Sequence, residues 1–395
     1  MEKTLNKLVI TRRNGRLLTA LFDGREALEI GLEEERSILG NIYIGKVKNI
    51  VKNLNSAFVD FGKNQTGYYS LSDNPVSLIA DGSVRAVKAG DEIVVQIAKE
   101  AVRTKDPVLT GNLNFTGKYA VLTAQKPQIG FSGKITDREW KERLKPQLEA
   151  ITGGSVGVIV RTNAYGEDEA LFHEIRYLLD LCRTIMEKSR YRTRYSLLYE
   201  AEPEYLNVLR GCPEGSLEEI ITDEDSVYET VKQYLTLQDP QRRIKIRRYS
   251  DSMISLSRLY SLETILDQAC QKRVWLKSGG YLIIEPTEAM VVIDVNTGKY
   301  SGNKNLQDTI RMTNLEAAAE ICHQLRLRNL SGIIMVDFID MKSEEDKELL
   351  LSALRKHAAK DPVKVHVVDM TQLNLVEITR KKGKKPLYEQ LRRAD

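Results

Sequence analysis

The sequence predicts a multidomain α/β protein that carries a small β-barrel in its first third. Three observations carry that reading. At 395 residues the chain exceeds what one hydrophobic core organises comfortably, so roughly two to four domains are expected. Residues 38–118 break into many short apolar runs separated by Gly, Asn and Asp, the outline of a five-stranded barrel. Residues 281–341 then read strand, helix, strand, the crossover unit of a parallel pair.

Composition narrows the class. An apolar fraction of 42% and a charged fraction of 29% describe an ordered soluble protein. The formal charge of +4, from 59 basic and 55 acidic residues, says little about partners, so the distribution of charge matters more than its sum. No segment approaches the roughly 18 consecutive apolar residues of a membrane span, and no cleavable apolar leader is visible, so a cytoplasmic location is expected. Cys182, Cys212, Cys270 and Cys322 are widely spaced without a CxxC, which reads as reduced, mostly buried thiols.

The opening, KLVITRRNGRLLTALFDGREALEIGLEE, alternates apolar and polar residues around NG and DG turns, so three strands are expected. The barrel region follows, with LGNIYIGKVKNIVKNLNSAFVDFG and GDEIVVQIAKE as its clearest runs. It displays Phe58, Tyr68 and Tyr69 near Lys63, with Lys105 further on, the mixture of rings and cations that binds single-stranded nucleic acid. AFVDFG alternates, however, and Phe58 can equally point into a core. Residues 138–150 and 167–188 are helical in period, and SVGVIVRTNAYG between them is a strand ending in Arg161 and Thr162. A guanidinium and a hydroxyl at a strand mouth can grip a phosphate, although an ordinary surface Arg has the same sequence signature.

Residues 204–238 are acidic and mixed, with a helix expected at SVYETVKQYLTL. In QRRIKIRRY, the residues Arg242, Arg243, Lys245, Arg247 and Arg248 make a basic edge. It can face RNA, stay solvated, or pair with the acidic segment before it. SLETILDQACQKRVWLKSG reads as a helix stopped by Gly279-Gly280, and YLIIEPTEAMVVIDVNTG as a β-hairpin. TNLEAAAEICHQLRLRNLSG is a helix that Thr313 or Asn314 can cap, with Gly332 after its end.

The crossover places Asp294 and Asp337 at the same ends of neighbouring parallel strands, where such sheets bind ligands. Two carboxylates there repel unless a cation or proton sits between them. With Asn296 as a neutral oxygen donor, the set suits a hard cation such as Mg rather than zinc. The competing reading is that the carboxylates cap helices or pair with Arg311, Arg326 or Arg328. His173, His323, His357 and His366 are scattered, and no HExxH, GxSxG or GxxxxGK[ST] motif is present.

GNIYIGKVKNI with AFVDFG, IVRT, VVIDVNTG, TNLEAAAEICHQLRLRNLSGIIMVDFIDM and LNLVEITR together strongly resemble the ribonuclease E/G family over essentially the whole length. The resemblance implies an RNase H-like domain (residues 1–35 and 215–278) interrupted by an OB-type RNA-binding barrel (36–118) and a 5′-sensor region (119–214). A deoxyribonuclease-I-like catalytic domain with a basic tail (279–395) would follow. It implies an endoribonuclease of bacterial RNA maturation and decay that cuts single-stranded, AU-rich RNA, including ribosomal precursors and mRNA. A non-catalytic RNA-binding or ribosome-associated factor is the alternative reading.

Carried over by position, Asp294 and Asp337 would hold Mg (with Mn a possible substitute), and Asn296 would assist. Phe58, Tyr68 and Lys105 would contact RNA, and Gly117, Val121, Arg161 and Thr162 would form a 5′-phosphate pocket. Lys364 stands where the family commonly has an Arg in the sensor region, which keeps the charge without the fork, so only a modest 5′-monophosphate preference is expected. The family usually continues into a CPxCxGxG segment that shares zinc between subunits. No Cys follows Cys322 here, so no structural zinc and a monomer or homodimer are expected. The run KKGKKPLYEQLRRAD can lie along an RNA backbone or stay solvated.

Overall fold

A computed structural model describes residues 6–33, 37–101, 106–212, 215–237, 243–298 and 306–392. The chain forms two compact units, one from residues 1–35 and 215–395, the other from residues 36–214.

In the first unit, strands Asn6–Arg13, Arg16–Asp23 and Glu26–Glu33 form an antiparallel meander. Asn14 and Gly15 both take positive φ, the twist-matched geometry of a two-residue hairpin loop. Strand Glu219–Thr222 adds in parallel to Asn6–Arg13, and Lys245–Arg248 adds in parallel beyond it. The last strand carries the basic edge. Lys245 and Arg247 pair with Glu219, and Arg248 pairs with Asp225 at the start of helix Asp225–Leu237, so these cations neutralise the acidic segment that precedes them. Arg242 lies outside the described residues.

The same unit holds a six-stranded sheet in the order Arg273–Trp275, Tyr281–Pro286, Met290–Asn296, Gly332–Asp337, Leu375–Arg380, Val365–Met370. Only the central Met290–Asn296 and Gly332–Asp337 pair is parallel, joined by the crossover helix Leu306–Leu327. One face, with Leu282, Ile284, Ile293, Val295, Ile334, Val336 and Ile378, is buried against Ala317, Ile321 and Leu325 of that helix and Leu350 and Leu354 of helix Glu344–Ala358. The alternate residues Val292, Asp294, Ile333 and Asp337 are exposed on the other face. A period of two thus sorts oil to one side and chemistry to the other.

Three expectations change here. The helix expected to run to Gly279-Gly280 is Leu262–Cys270, and Arg273–Trp275 is an edge strand paired with Tyr281–Ile283. Val274 packs into the core while Arg273 and Trp275 are exposed, so strand alternation wins over helical period. The crossover helix begins at Leu306, which puts Thr313 and Asn314 inside it rather than at a cap, and Asn329 rather than Gly332 takes the left-handed residue after its end. The basic tail is not simply solvated. Helix Leu387–Leu391 docks through buried Leu387, and Gln390 Oε1 accepts from the Leu32 amide at 2.9 Å.

In the second unit, strands Ile42–Val51, Ser56–Gly62, Gln65–Ser70, Val108–Thr110 and Glu92–Lys99 close into a five-stranded barrel, the first pairing with the last. Val47, Val59, Phe61, Tyr69, Ile93 and Val95 fill it. Strands Asn114–Thr116, Ala120–Thr123, Gly157–Val160 and Ile129–Phe131 form a separate sheet packed on helices Arg138–Thr152 and Asp168–Ser189. Asp137 caps the first helix by accepting from the Trp140 amide.

Candidate active site and nucleic-acid interface

Asp294 and Asp337 are direct partners across the parallel pair, so their side chains leave the same face of adjacent strands about 4.8 Å apart. Asn296, two residues on and hence on the same face, donates from Nδ2 to Asp294 Oδ2 at 2.8 Å. That bond ties one carboxylate oxygen of Asp294 to the neighbouring amide. Burial, then the charges of Asp294 and Asp340, push the Asp337 carboxyl above its ordinary value. Asp340 is itself held by Asn374, whose Nδ2 donates at 3.2 Å.

The arginines that could have claimed these carboxylates are engaged elsewhere. Arg311 pairs with Asp308 and Asp346, Arg326 with Glu29, and Arg328 donates to Gln324 and the Gln271 carbonyl. Among the described residues no Lys or Arg forms an ion pair with Asp294 or Asp337. The donor set is therefore two hard carboxylate oxygens and an amide, with mutual repulsion unrelieved by any cation among the described residues, which fits a hard divalent cation.

Two features shape the backbone around this set, Asn314 in a role other than a helix cap and the close approach of Gly280 and Gly298. Asn314, fully buried in the crossover helix, donates to the Ile339 carbonyl at 2.8 Å and accepts from the Ile339 amide at 3.2 Å. It clamps the chain just beyond Asp337. After Asn296 the chain turns through Gly298, whose φ of +65° and close approach to the Gly279 carbonyl leave no room for a side chain. Gly280 likewise faces the Asn296 carbonyl, where a Cβ would stand 2.8 Å away.

On the barrel, Phe58 and Tyr68 are opposite each other on neighbouring strands, half-buried, with ring centroids 6.3 Å apart and edge to face. Their neighbours Ala57, Val59 and Tyr69 are buried, so alternation turns Phe58 and Tyr68 outward. Tyr69, displayed alongside them in the sequence, is a core residue instead. Its hydroxyl bonds Ser77, and burial pushes it up to about 12. Lys105 lies outside the described residues.

Gly117, Val121, Arg161 and Thr162 come from one sheet and the turn after it. Arg161 donates to the Gly117 carbonyl, Thr162 bonds the Ser132 hydroxyl at 2.9 Å, and Val121 pairs with Ile159. Glu174 was missed. Its carboxylate accepts from the amides of Lys118, Tyr119 and Ala120 at 2.6, 2.7 and 2.9 Å and lies where a Gly117 side chain would be. Burial raises its pKa against those three donors. Its signal was a lone carboxylate within the Leu171, Ile175, Leu178 stripe of helix Asp168–Ser189. Lys364 is exposed just before strand Val365–Met370 of the first unit.

One further group of ligand-type side chains comes together among the described residues, Glu26, Glu320 and His323. His323 Nε2 bonds the Ala27 carbonyl at 2.8 Å, and Nδ1 faces Glu320 at 3.2 Å and Glu26 at 3.5 Å. Burial lowers the imidazole pKa, but these acceptors outweigh it and the net shift is upward, so this is an ion-paired histidine.

Paired strand-end carboxylates open to solvent, in a chain that also carries a barrel with outward rings, are the equipment of a nuclease. The comparisons specify which kind. The ribonuclease E/G family model matches residues 114–383. Ribonuclease G of Escherichia coli (strain K12) is 35% identical over 383 residues, 93% of this chain and 78% of that protein. Ribonuclease G of Haemophilus influenzae is 36% identical over 384 residues, with 93% and 78% covered. Ribonuclease E of Nostoc sp. (strain PCC 7120) is 33% identical over 382 residues, 94% of this chain but 55% of that protein. The chain belongs to the ribonuclease E/G family and is an endoribonuclease. Among the described residues no helix is long and apolar enough to cross a membrane.

Proposed function

We propose that the enzyme hydrolyses single-stranded, AU-rich RNA with Mg at Asp294 and Asp337, with Mn able to substitute, leaving 5′-phosphate and 3′-hydroxyl ends. The observation that carries this reading is the register of the two carboxylates on one open sheet face with no cationic partner among the described residues. Bound there, the cation would supply charge stabilisation of the phosphate and a water of lowered pKa.

The chain's own residues do the rest. Asp294 and Asp337 hold charge at fixed positions, and the Asn296 amide orients one oxygen of Asp294. Asn314 holds the Ile339 peptide and thereby the exit of the Asp337 strand. Water attacks phosphorus, the bond to the 3′ oxygen breaks, and that oxygen leaves with a proton. Phe58 and Tyr68 stack bases, Lys105 neutralises phosphate, and Arg161 with Thr162 favours a 5′-monophosphate modestly, with Gly117 and Val121 shaping that pocket and Lys364 adding charge. In this reading the meander unit is the RNase H-like domain, the barrel the OB-type domain, and the six-stranded sheet the deoxyribonuclease-I-like domain. The enzyme acts in the bacterial cytoplasm on ribosomal precursors and mRNA, as a monomer or homodimer.

The test is cleavage of a 5′-labelled AU-rich oligoribonucleotide with and without EDTA, with both product ends identified. Loss of cutting in EDTA, restored by Mg, is expected. Cutting that persists in EDTA, or 2′,3′-cyclic phosphate ends, would overturn the mechanism.

A further inference from the structure

On the open face of the six-stranded sheet, the residues beside the carboxylates are aromatic and cationic. Tyr281 is the direct cross-strand partner of Asn296, and Trp275 is the direct partner of Tyr281 on the edge strand. Directly opposed residues share a face, so Asp337, Asp294, Asn296, Tyr281 and Trp275 all emerge from the same side. Trp275 is 64% exposed, a large apolar surface left in water. Its ring meets Tyr281 at 5.3 Å between centroids, tilted by 61°. The Arg273 guanidinium lies 4.7 Å from the Tyr281 centroid and 5.6 Å from that of Trp275. Among the described residues Arg273 makes no ion pair, so its donors face solvent while its plane is held by the rings.

We propose that Arg273, Trp275 and Tyr281 form a nucleotide-binding platform for the RNA strand that passes the carboxylates, a reading that rests on the RNA-cutting site proposed above. Trp275 offers the π-face of an exposed indole to an unpaired base. Arg273, pre-oriented by the two rings, offers donors to the adjacent phosphate. Tyr281 buttresses both and links them to Asn296. With strands about 4.8 Å apart, Trp275 stands about 10 Å from the Asn296 strand, a span of about two to three nucleotides at 3.4 Å or more each. The occupant is single-stranded because stacking on Trp275 requires a base out of a duplex. The Arg273 guanidinium complements phosphate charge and the Trp275 ring complements a base face, a combination that suits a phosphodiester chain with exposed bases. Sequence preference at this position is weak, since every base has a π-face.

Intrinsic fluorescence reads this site directly, because the chain has two tryptophans and Trp140 is buried in the other unit. Adding a 2′-O-methyl oligouridylate should quench the emission of the wild-type chain and of Trp140→Phe, and leave Trp275→Phe unquenched. In cleavage assays Trp275→Ala should raise KM about 5- to 150-fold with kcat within about twofold, and Trp275→Phe should restore most of the loss. Arg273→Gln should flatten the salt dependence of KM. Quenching that survives in Trp275→Phe, or an unchanged KM in Trp275→Ala, overturns the platform. So does a drop in oligomer mass by light scattering in Trp275→Ala without a KM change, which would make this face a contact between copies. Asp337→Asn separates the two readings: it should abolish cutting and keep the quench. Cutting that survives Asp337→Asn breaks the carboxylate site while the quench continues to report the platform.

Discussion

The barrel and the six-stranded sheet present side chains to solvent from β-structure in opposite ways. The barrel closes on itself, so each strand sends alternate residues into a core and only isolated outward rings, Phe58 and Tyr68, remain for contact. The sheet stays open with both helices on one face, so its other face presents a continuous field from Asp337 to Trp275. Closure spends alternation on stability; an open face spends it on chemistry.

The sharpest way to break this comparison is at the carboxylates. Asp294→Asn and Asp337→Asn should each lower turnover by about a thousand-fold or more while leaving the melting temperature nearly unchanged, since both residues are exposed. A melting loss equal to that of a core variant would make them structural. Next comes the barrel pair. Tyr69→Ala should cost about 3–5 kcal/mol of stability, as a filled interior position does. Phe58→Ala should instead weaken RNA binding by about 1–3 kcal/mol with little change in stability. Denaturant melts beside RNA titrations decide, and exchanged outcomes would reverse the assignment of inside and outside.

Asn314→Ala should cost about 2 kcal/mol by leaving the Ile339 peptide unsatisfied, and should lower turnover more than this stability loss explains. Turnover that follows the folded fraction alone would deny Asn314 its positioning role. Removing the chain from Leu387 onward should cost about 2 kcal/mol, the worth of one buried Leu side chain, visible as a lowered melting temperature. The smallest effect is titration of His323. Its pKa is raised in the folded state, so its ion pairs stabilise fully below the unfolded value near 6.5 and fade as pH rises through the folded value. The melting difference between the wild type and His323→Gln should therefore shrink as pH rises above the ordinary imidazole value of about 6.5.

How much of this was legible depended on the range of the determining contact. The NG hairpin, the barrel and the Asp294 and Asp337 crossover are written in local alternation and turn residues. Trp275 was misread because SLETILDQACQKRVW keeps a helical period, and only pairing with Tyr281 makes its last residues a strand. Tyr68 and Tyr69 are adjacent and chemically alike, so barrel closure alone decides which one is buried. Glu174 and Asn314 act on backbone 54 and 25 residues away, and such contacts leave no mark on their own neighbourhoods. The basic strand and the basic tail stay open in sequence for a related reason, since charge shows there but the carboxylates and carbonyls that meet these segments do not.

The register of the central strand pair has a consequence for anyone editing this gene. Asp294 faces solvent only because the count from the Thr287–Met290 turn is fixed, with Thr287 and Met290 locked by mutual hydrogen bonds. Deleting any one residue of Met290–Asn296 on the turn side of Asp294 would rotate the Asp294 carboxylate into the apolar layer and carry a valine outward, without altering the codon of Asp294 or Asp337. Insertions in the exposed turn at Glu288 and Ala289 leave that count intact. A scan of single-codon deletions should therefore show a hard boundary where the turn meets the strand, and a peptide tag belongs on the turn side of it.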